Sequence, residues 1–587
     1  MDNSVASVAT QNGREDTNKF FTAHHKPSKG GWAAAIFIIF VEMAERFAFY
    51  GLGGNLMNYL TNVRGEPNAT AAKNVNTWSG VSALLPLFGA FIADSYLGRF
   101  KTILFSSVIY FMGMILLVLS VSVIDDHKSV FFIALYILAI AEGGHKPCVQ
   151  TFAADQFDDN NPEERAAKSS FFNWWFLGIV TGASAAIVVI IYIQENVGWA
   201  AGFGVLAGIL AMALILFLVG FKKYRIDKKR TEGSPFTKVV QVIVAAARKW
   251  RLSETRGGRG VCYEDNDGKK LRQSRGRNIE RTNQLRFLEK AMIIDDVDCL
   301  SKQRNPWRLC SQNQVEQVKL VIRLIPIWIS CIMFFAVQQQ IHTFVTKQGG
   351  TVNRSIGSHL QIPPAALQSL VGIAILVTIP IYDRIFVPLA WKFTGLPSGI
   401  TMLQRIGVGL FLSILNMSVA AIVEVKRLNI ARENGLMDSP KATLPMSLWW
   451  LVPQYMICGI SDAFATVGLQ ELFYDQMPEE MRSMGAAACI SIVGVGNFIN
   501  TAIISIVQDI SSRNGGHKWI GNNLNRSHLD YFYWTMAGLS ALNFCAYVWI
   551  AKAYVYKNVV EDEAKEDKEL TNFYDLPTGE MKSQDHV

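Results

Sequence analysis

Ala33-Ala-Ala-Ile-Phe-Ile-Ile-Phe-Val-Glu42-Met-Ala-Glu45-Arg46-Phe-Ala-Phe-Tyr50 is an apolar run broken by three ionisable side chains. A charge in mid-bilayer costs about 2.5–3.5 kcal/mol on insertion scales, so a span carrying three of them is expected to use them. At 100° per residue, Glu42, Glu45 and Arg46 share one helix face, which Phe49 and Gly53 continue. Lipid does not tolerate that face, so it must look into protein or water. The residues around it decide the fold, because comparable apolar runs of about 20 residues recur along most of the chain.

Composition agrees. Of 587 residues, 50% are hydrophobic and only 18% are charged, against about 25% charged in soluble proteins. The reading is an all-α polytopic membrane protein with twelve transmembrane helices in two six-helix bundles. Approximate span cores are 33–60, 77–97, 102–123, 130–150, 170–193, 199–220, 318–346, 365–390, 400–423, 446–473, 484–508 and 530–556. This divides the chain into a tail (1–30), an N-terminal bundle (31–221), a basic loop (222–316), a C-terminal bundle (317–557) and a second tail (558–587).

The net charge of +8 is concentrated in that loop. Lys222 to Glu316 holds 23 Lys+Arg and 12 Asp+Glu, a local balance of +11. Positive loops face the cytoplasm, so both termini are expected there, and nucleic acid is not an expected partner. Within the loop, Pro235 to Trp250 reads as an amphipathic helix opened by Pro and closed by basic residues, suited to the inner membrane face. The first 30 residues are polar, so the first span is expected to act as its own insertion signal. Glycosylation sequons at Asn68, Asn353 and Asn525 fall in connections expected to face away from the cytoplasm, and a fourth at Asn416 lies within a span. The eight cysteines form no CxxC and no His cluster accompanies them, so no metal site is expected.

Four motifs carry chemistry. In Glu42-x-x-Glu45-Arg46, two carboxylates beside one guanidinium leave one acid over, a candidate to load and release a proton; the bland alternative is a structural salt bridge. Gly143-Gly-His-Lys146-Pro147 places an ammonium near the end of span 4, where it either finds a partner or snorkels to the interface. Asp462 in span 10 is an acid of the second half, and Lys146 with Asp462 would form a salt bridge between bundles. Asp94-Ser-Tyr-Leu-Gly-Arg99 reads as a conformational latch or a capping turn, and Tyr382-Asp-Arg384 after span 8 is its weak repeat. No HExxH, GxSxG or P-loop is present, so an enzyme is not expected.

Taken in order, Glu42-x-x-Glu45-Arg46-Phe-x-Phe-Tyr50, Gly89-Ala-x-x-Ala-Asp94-x-x-Leu-Gly98-Arg99 and Gly143-Gly-x-Lys146-Pro resemble the proton-coupled oligopeptide transporter family of the major facilitator superfamily. The long basic loop and Gly468 to Ser483 resemble its plant nitrate/peptide transporter branch. The resemblance implies proton symport by alternating access, with Glu42, Glu45 and Arg46 as the proton-coupling element and no cofactor beyond the coupling proton. It implies a central site with Lys146, Asp462, Gln338 and Tyr50. The family usually has Glu where Asp462 stands. Gln338 replaces the span 7 histidine of the dual-affinity nitrate transporter, so nitrate is allowed but not indicated; His342, one turn on, is a weaker candidate. Thr102 aligns with a phosphorylated threonine of that transporter, which makes a kinase an expected partner, beside a small-molecule solute, membrane lipid and a second copy in a homodimer. Nitrate, small peptides and other organic solutes all remain open, as do plasma and vacuolar membranes. An uncoupled transporter or a nutrient sensor of the same fold is the alternative.

Overall fold

The computed structural model describes residues 29–556, apart from 124–127, 159–161, 227–234, 253–281, 296–297, 299–304, 357–359, 396–398, 479–480 and 514–517. Six long helices come first: α1 (Trp32–Gly53), α2 (Asn68–Ile92), α3 (Arg99–Ser122), α4 (Lys128–Ala154), α5 (Pro162–Asn196) and α6 (Trp199–Val219). Helix α7 (Pro235–Arg248) lies in the basic loop. Then follow α8 (Gln312–Ser330) with its continuation Ile332–Gly349, α9 (Pro364–Thr394), α10 (Met402–Glu433), α11 (Val452–Gln476), α12 (Arg482–Arg513) and α13 (Leu529–Ala553).

Ten of these helices are long and apolar enough to cross a membrane, and α8 with its continuation makes an eleventh. Helix α1 is not among them, because its 22 residues include Glu42, Glu45 and Arg46; its length of about 33 Å still matches a bilayer, and counting it would give the expected twelve. Helix α8 bends by 41° at Cys331. The bend leaves the Ser330 carbonyl without its helical partner, and Asn543 Nδ2 of α13 donates to it at 2.7 Å.

The described chain forms two compact units. The first comprises Met1–Leu52, Arg99–Ala141 and Cys148–Arg230; the second comprises Gly53–Gly98, Glu142–Pro147 and Thr231–Val587. In the first, small residues of α5 let α1 approach: a Cβ on Gly182 would stand 2.5 Å from the Met43 carbonyl oxygen. Phe100, Phe152, Phe217 and Tyr224 pack ring against ring at the other end of α3, with centroids 5.2–6.3 Å apart. Burial there pushes the Tyr224 phenol well above its ordinary value.

In the second unit, α2 meets two partners through glycine. Gly80 faces Gly494 of α12, where a Cβ would come within 3.2 Å of the facing carbonyl. Gly89 lies against Gly143, and a Cβ on Gly89 would stand 2.0 Å from the Gly143 carbonyl oxygen. The expected internal repeat has a backbone signature: both acid-bearing turns, Ala93–Leu97 and Tyr382–Phe386, are π-helical. Two small ribbons cap this unit, β1 (Val352–Asn353) parallel to β4 (Leu444–Ser447) and β2 (Ser355–Ile356) antiparallel to β3 (Leu360–Gln361).

The sequons separate. Asn68 and Asn525 are buried, and their amides donate to Gly521 and Leu436 carbonyls at 3.0 Å each. Asn416 is buried within α10. Asn353 is exposed.

Helix α7 begins at Pro235 and ends at Arg248. One of its faces, Val242, Ala245 and Ala246, packs on Leu288, Ala291 and Met292 of the turn Arg286–Met292 and on Val315 and Val318 of α8. Charges lock this small core. Lys249 is buried and reaches the Ile293 carbonyl at 2.6 Å and Asp298 at 2.5 Å. Lys319 bridges Glu289 and Glu316 at 2.8 Å each. Burial pushes the Asp298 carboxyl up, but hydrogen bonds from Lys249 and the Asp295 N–H, with the Lys249 charge, outweigh it and hold it below the usual carboxylate range.

Two outcomes are expected. Gly89→Ala, which drives a methyl into the Gly143 carbonyl, should lose about 1–3 kcal/mol, whereas Gly204→Ala, which meets open space, should be neutral; detergent thermostability measures both. Asp298→Asn strands buried Lys249, a loss of about 3–5 kcal/mol, and should open the loop to trypsin. Because the folded carboxyl titrates below its unfolded value of about 3.9, the wild-type pair stabilises above that pH and loses its effect as pH falls through the folded value.

Candidate functional site

The first group lies on α1. Glu42, Glu45 and Arg46 are 5%, 1% and 5% exposed. Arg46 Nε stands 3.1 Å from Glu42 Oε1, and Nη2 stands 2.5 Å from Glu45 Oε2. The 3.6-residue period alone brings this about, since positions 42 and 46 are one turn apart and 45 adjoins them. Tyr110 of α3 directs its hydroxyl at Glu45 Oε1, 3.5 Å away. The Arg46 guanidinium also lies over the Phe49 ring at 5.8 Å, and Phe49 meets Tyr50 edge-on at 5.4 Å. With both acids ionised the three side chains sum to one negative charge, and one bound proton brings that sum to zero. Sequence reading missed Tyr110, because a lone tyrosine on another span carries no spacing signal.

The second group lies in the second unit. Lys146 does not pair with Asp462. Its Nζ stands 3.2 Å from Glu142 Oε1, one turn back on α4. The i,i+4 spacing of Glu142 and Lys146 was a readable signal for this pair. Asp462 on α11 accepts a hydrogen bond from Thr466 Oγ1, one turn on. Gln338, on the continuation of α8, holds Cys458: its Oε1 accepts from the Cys458 thiol at 2.6 Å, and its Nε2 reaches the Cys458 carbonyl at 3.4 Å. Cys458 and Asp462 are four residues apart on α11, so Gln338 and Asp462 come to neighbouring turns. His342 is engaged elsewhere, its Nδ1 lying 2.9 Å from Gln368 Oε1.

The latch differs from expectation. Arg99 forms its ion pair with Asp155 near the end of α4, where the first turn of α3 delivers it; the Asp94 side chain lies outside the described residues. Thr102 is 5% exposed within the first turn of α3. Glu471 pairs with Arg405 of α10 at 3.2 Å, and Arg405 lies over the Tyr382 ring at 4.3 Å. Among the tryptophans, Trp175 of α5 is buried, whereas Trp174 beside it and Trp449 before α11 are exposed.

Sequence reading also missed a fully buried network in the second unit. Glu424 and Arg427 of α10 form two contacts of 2.7 Å. Gln348 donates to Glu424 at 2.8 Å, and Arg427 donates to Asn525 Oδ1 at 2.8 Å.

Comparison with known proteins fixes the family. The POT family pattern matches residues 100–520. The chain is 56% identical to Protein NRT1/ PTR FAMILY 5.4 of Arabidopsis thaliana over 92% of its own length and 97% of that protein's. The chain belongs to the POT family. Within it, the Arabidopsis thaliana relatives place this POT family member in the plant NRT1/PTR branch; Protein NRT1/ PTR FAMILY 5.10 is 47% identical over 91% of this chain and 95% of its own. An auto-inhibited POT family peptide transporter shares the fold with a TM-score of 0.67 at 21% identity, covering 90% of this chain and 98% of that one. The POT family transporter PepTSo does so at 0.64 and 20%, covering 89% and 98%. The protein is therefore a multi-pass transporter of major facilitator architecture and not an enzyme.

The charge cluster yields a test of its own. Arg46→Met leaves two buried carboxylates facing each other and should cost about 3–5 kcal/mol. Adding Glu42→Gln and Glu45→Gln should restore the detergent melting temperature.

Proposed function

We propose that this transporter is a proton-driven symporter in which the Glu42–Glu45–Arg46 cluster of α1 is the coupling element. The observation that carries this reading is one guanidinium held between two buried carboxylates inside a membrane span. A single proton changes the cluster from net negative to neutral and frees Arg46 from one acid. Differential proton binding of that kind is what shifts a two-state equilibrium. The driving force suffices: one charge crossing 100 mV releases about 2.3 kcal/mol, enough to concentrate a neutral solute more than about tenfold. The proton is the only coupling agent in this scheme, and no cofactor takes part.

Lys146, Asp462, Gln338 and Tyr50 are the residues we assign to the solute. In the conformation described, Lys146 is closed on Glu142; exchange of that partner for Asp462 or for the solute would mark another step of alternating access. Gln338 supplies a neutral carboxamide rather than a cation, and the charged side chain one turn beyond Cys458 is the carboxylate of Asp462. This pairing favours solutes with a donor or ammonium group, such as small peptides or nitrogenous organic compounds, over nitrate. The orientation has the basic loop and both termini in the cytoplasm of a plant cell, at the plasma or vacuolar membrane. Thr102 is buried, so a kinase would reach it only when the first turn of α3 opens. A homodimer remains part of this reading.

Uptake in oocytes at external pH 5.5 and 7.5 tests the proposal with a panel of nitrate, dipeptides and organic solutes. Accumulation should rise at the lower pH, and Glu45→Gln should remove that rise at unchanged surface expression. Equal uptake at both pH values by the wild type would discard proton coupling. Gln338→His should improve nitrate relative to the preferred solute.

A further inference from the structure

Helix α7 has two apolar faces. The inner one, with Val242, Ala245 and Ala246, is closed by Arg286–Met292 and α8. The outer one is Val240, Ile243 and Ala247, spaced i, i+3 and i+7 and so aligned on one side, and Trp250 follows in the turn just past the helix end. Val240 is 47%, Ile243 44% and Trp250 64% exposed. Phe287, 57% exposed, extends the patch from the neighbouring turn, which Lys290 ties to α7 by donating to the Trp250 carbonyl.

Charge identifies what covers this face. The described acids of the module are Glu289, Asp295, Asp298 and Glu316, and all four are engaged internally, by Lys319, Arg308, Lys249 and Lys319. The exposed ionic groups around the patch are Arg248, Arg251 and Arg286. Arg251 lies 5.5 Å over the Trp250 ring. An apolar stripe ending in Trp, rimmed by Arg with no free acid among the described residues, is the signature of a membrane-interface element. The membrane is close by. From Gln312 to Gly349, α8 and its continuation follow a bent path of about 57 Å, well beyond the ~30 Å hydrocarbon core, and the module grips the first turns of α8 at Val315 and Val318.

We propose that this face docks on anionic phospholipid headgroups of the transporter's own membrane. Trp250, Phe287, Val240 and Ile243 enter the headgroup–acyl boundary, and Arg248, Arg251 and Arg286 contact phosphates. The basic loop then acts as a lipid-sensing foot bonded to α8.

The test uses the full chain in nanodiscs of phosphatidylcholine alone or with 30% phosphatidylserine, each doped with brominated lipid. The Trp250 signal is the wild-type fluorescence minus that of Trp250→Phe, which removes one of 14 tryptophans. Bromolipid should quench it strongly in the anionic discs and weakly in the neutral ones. The Arg248→Gln, Arg251→Gln and Arg286→Gln triple variant should fold with unchanged melting temperature in detergent. It should need more phosphatidylserine for the same quenching, with affinity falling about fivefold per arginine. Trp250 quenched by aqueous iodide and untouched by bromolipid in both discs overturns the proposal. So does iodide access that appears only after deletion of residues 558–587, because the acidic tail would then be the occupant.

Discussion

A buried charge that cannot reach water must be answered inside the protein, and this constraint organises the transporter. Arg46 lies between Glu42 and Glu45; Lys319 lies between Glu289 and Glu316; Arg427 grips Glu424 with two nitrogens. In low dielectric, each partner left alone is far costlier than the pair is favourable. Such sites therefore either stay closed or exchange partners together. All three clusters pair charges about one turn apart on one helix, and each draws on other segments: Tyr110 reaches Glu45, Thr282 donates to Glu316, Gln348 donates to Glu424 and Arg427 to Asn525. In the α1 cluster two acids of one helix share one guanidinium.

Glycine supplies the second layer of order. Helices in lipid gain little from apolar contact and depend on close backbone approach. Gly89 on Gly143, Gly80 on Gly494 and Gly182 on Met43 set those approaches. The Gly143 contact fixes the height of Glu142, just before it, and Lys146, three residues on. The motif Gly143-Gly-His-Lys146-Pro thus has a packing half and a polar half, and the first positions the second.

Much of this was legible in the sequence. Hydropathy marks eleven of the spans, and α7 begins at Pro235 as read but ends at Arg248 rather than at Trp250. The face of Glu42, Glu45 and Arg46 followed from helical period alone, because both Arg46 ion pairs are local. What failed depended on choosing among distant partners. Lys146 was read toward Asp462, and the nearer acid, Glu142, holds it. Arg99 met Asp155, an acid more than fifty residues on that no local pattern indicates. The lone membrane-face reading of α7 overlooked its second apolar side, since an amphipathic moment reports one dominant face and not two. Cys458 as the partner of Gln338 was invisible because a thiol in an apolar run reads as a small hydrophobe.

The break in α8 at Cys331 bears on how such a molecule moves. A continuous helix resists bending because several backbone hydrogen bonds must lengthen at once. Here that ladder is already interrupted, and the loose Ser330 carbonyl rests on one side-chain amide, Asn543. A change of bend at this joint exchanges the Asn543 contact, on the scale of about 1 kcal/mol, while the segment beyond it is held separately by Gln338 on Cys458 and His342 on Gln368. The Gln338 carboxamide is mounted on a joint, and α13 holds the pin.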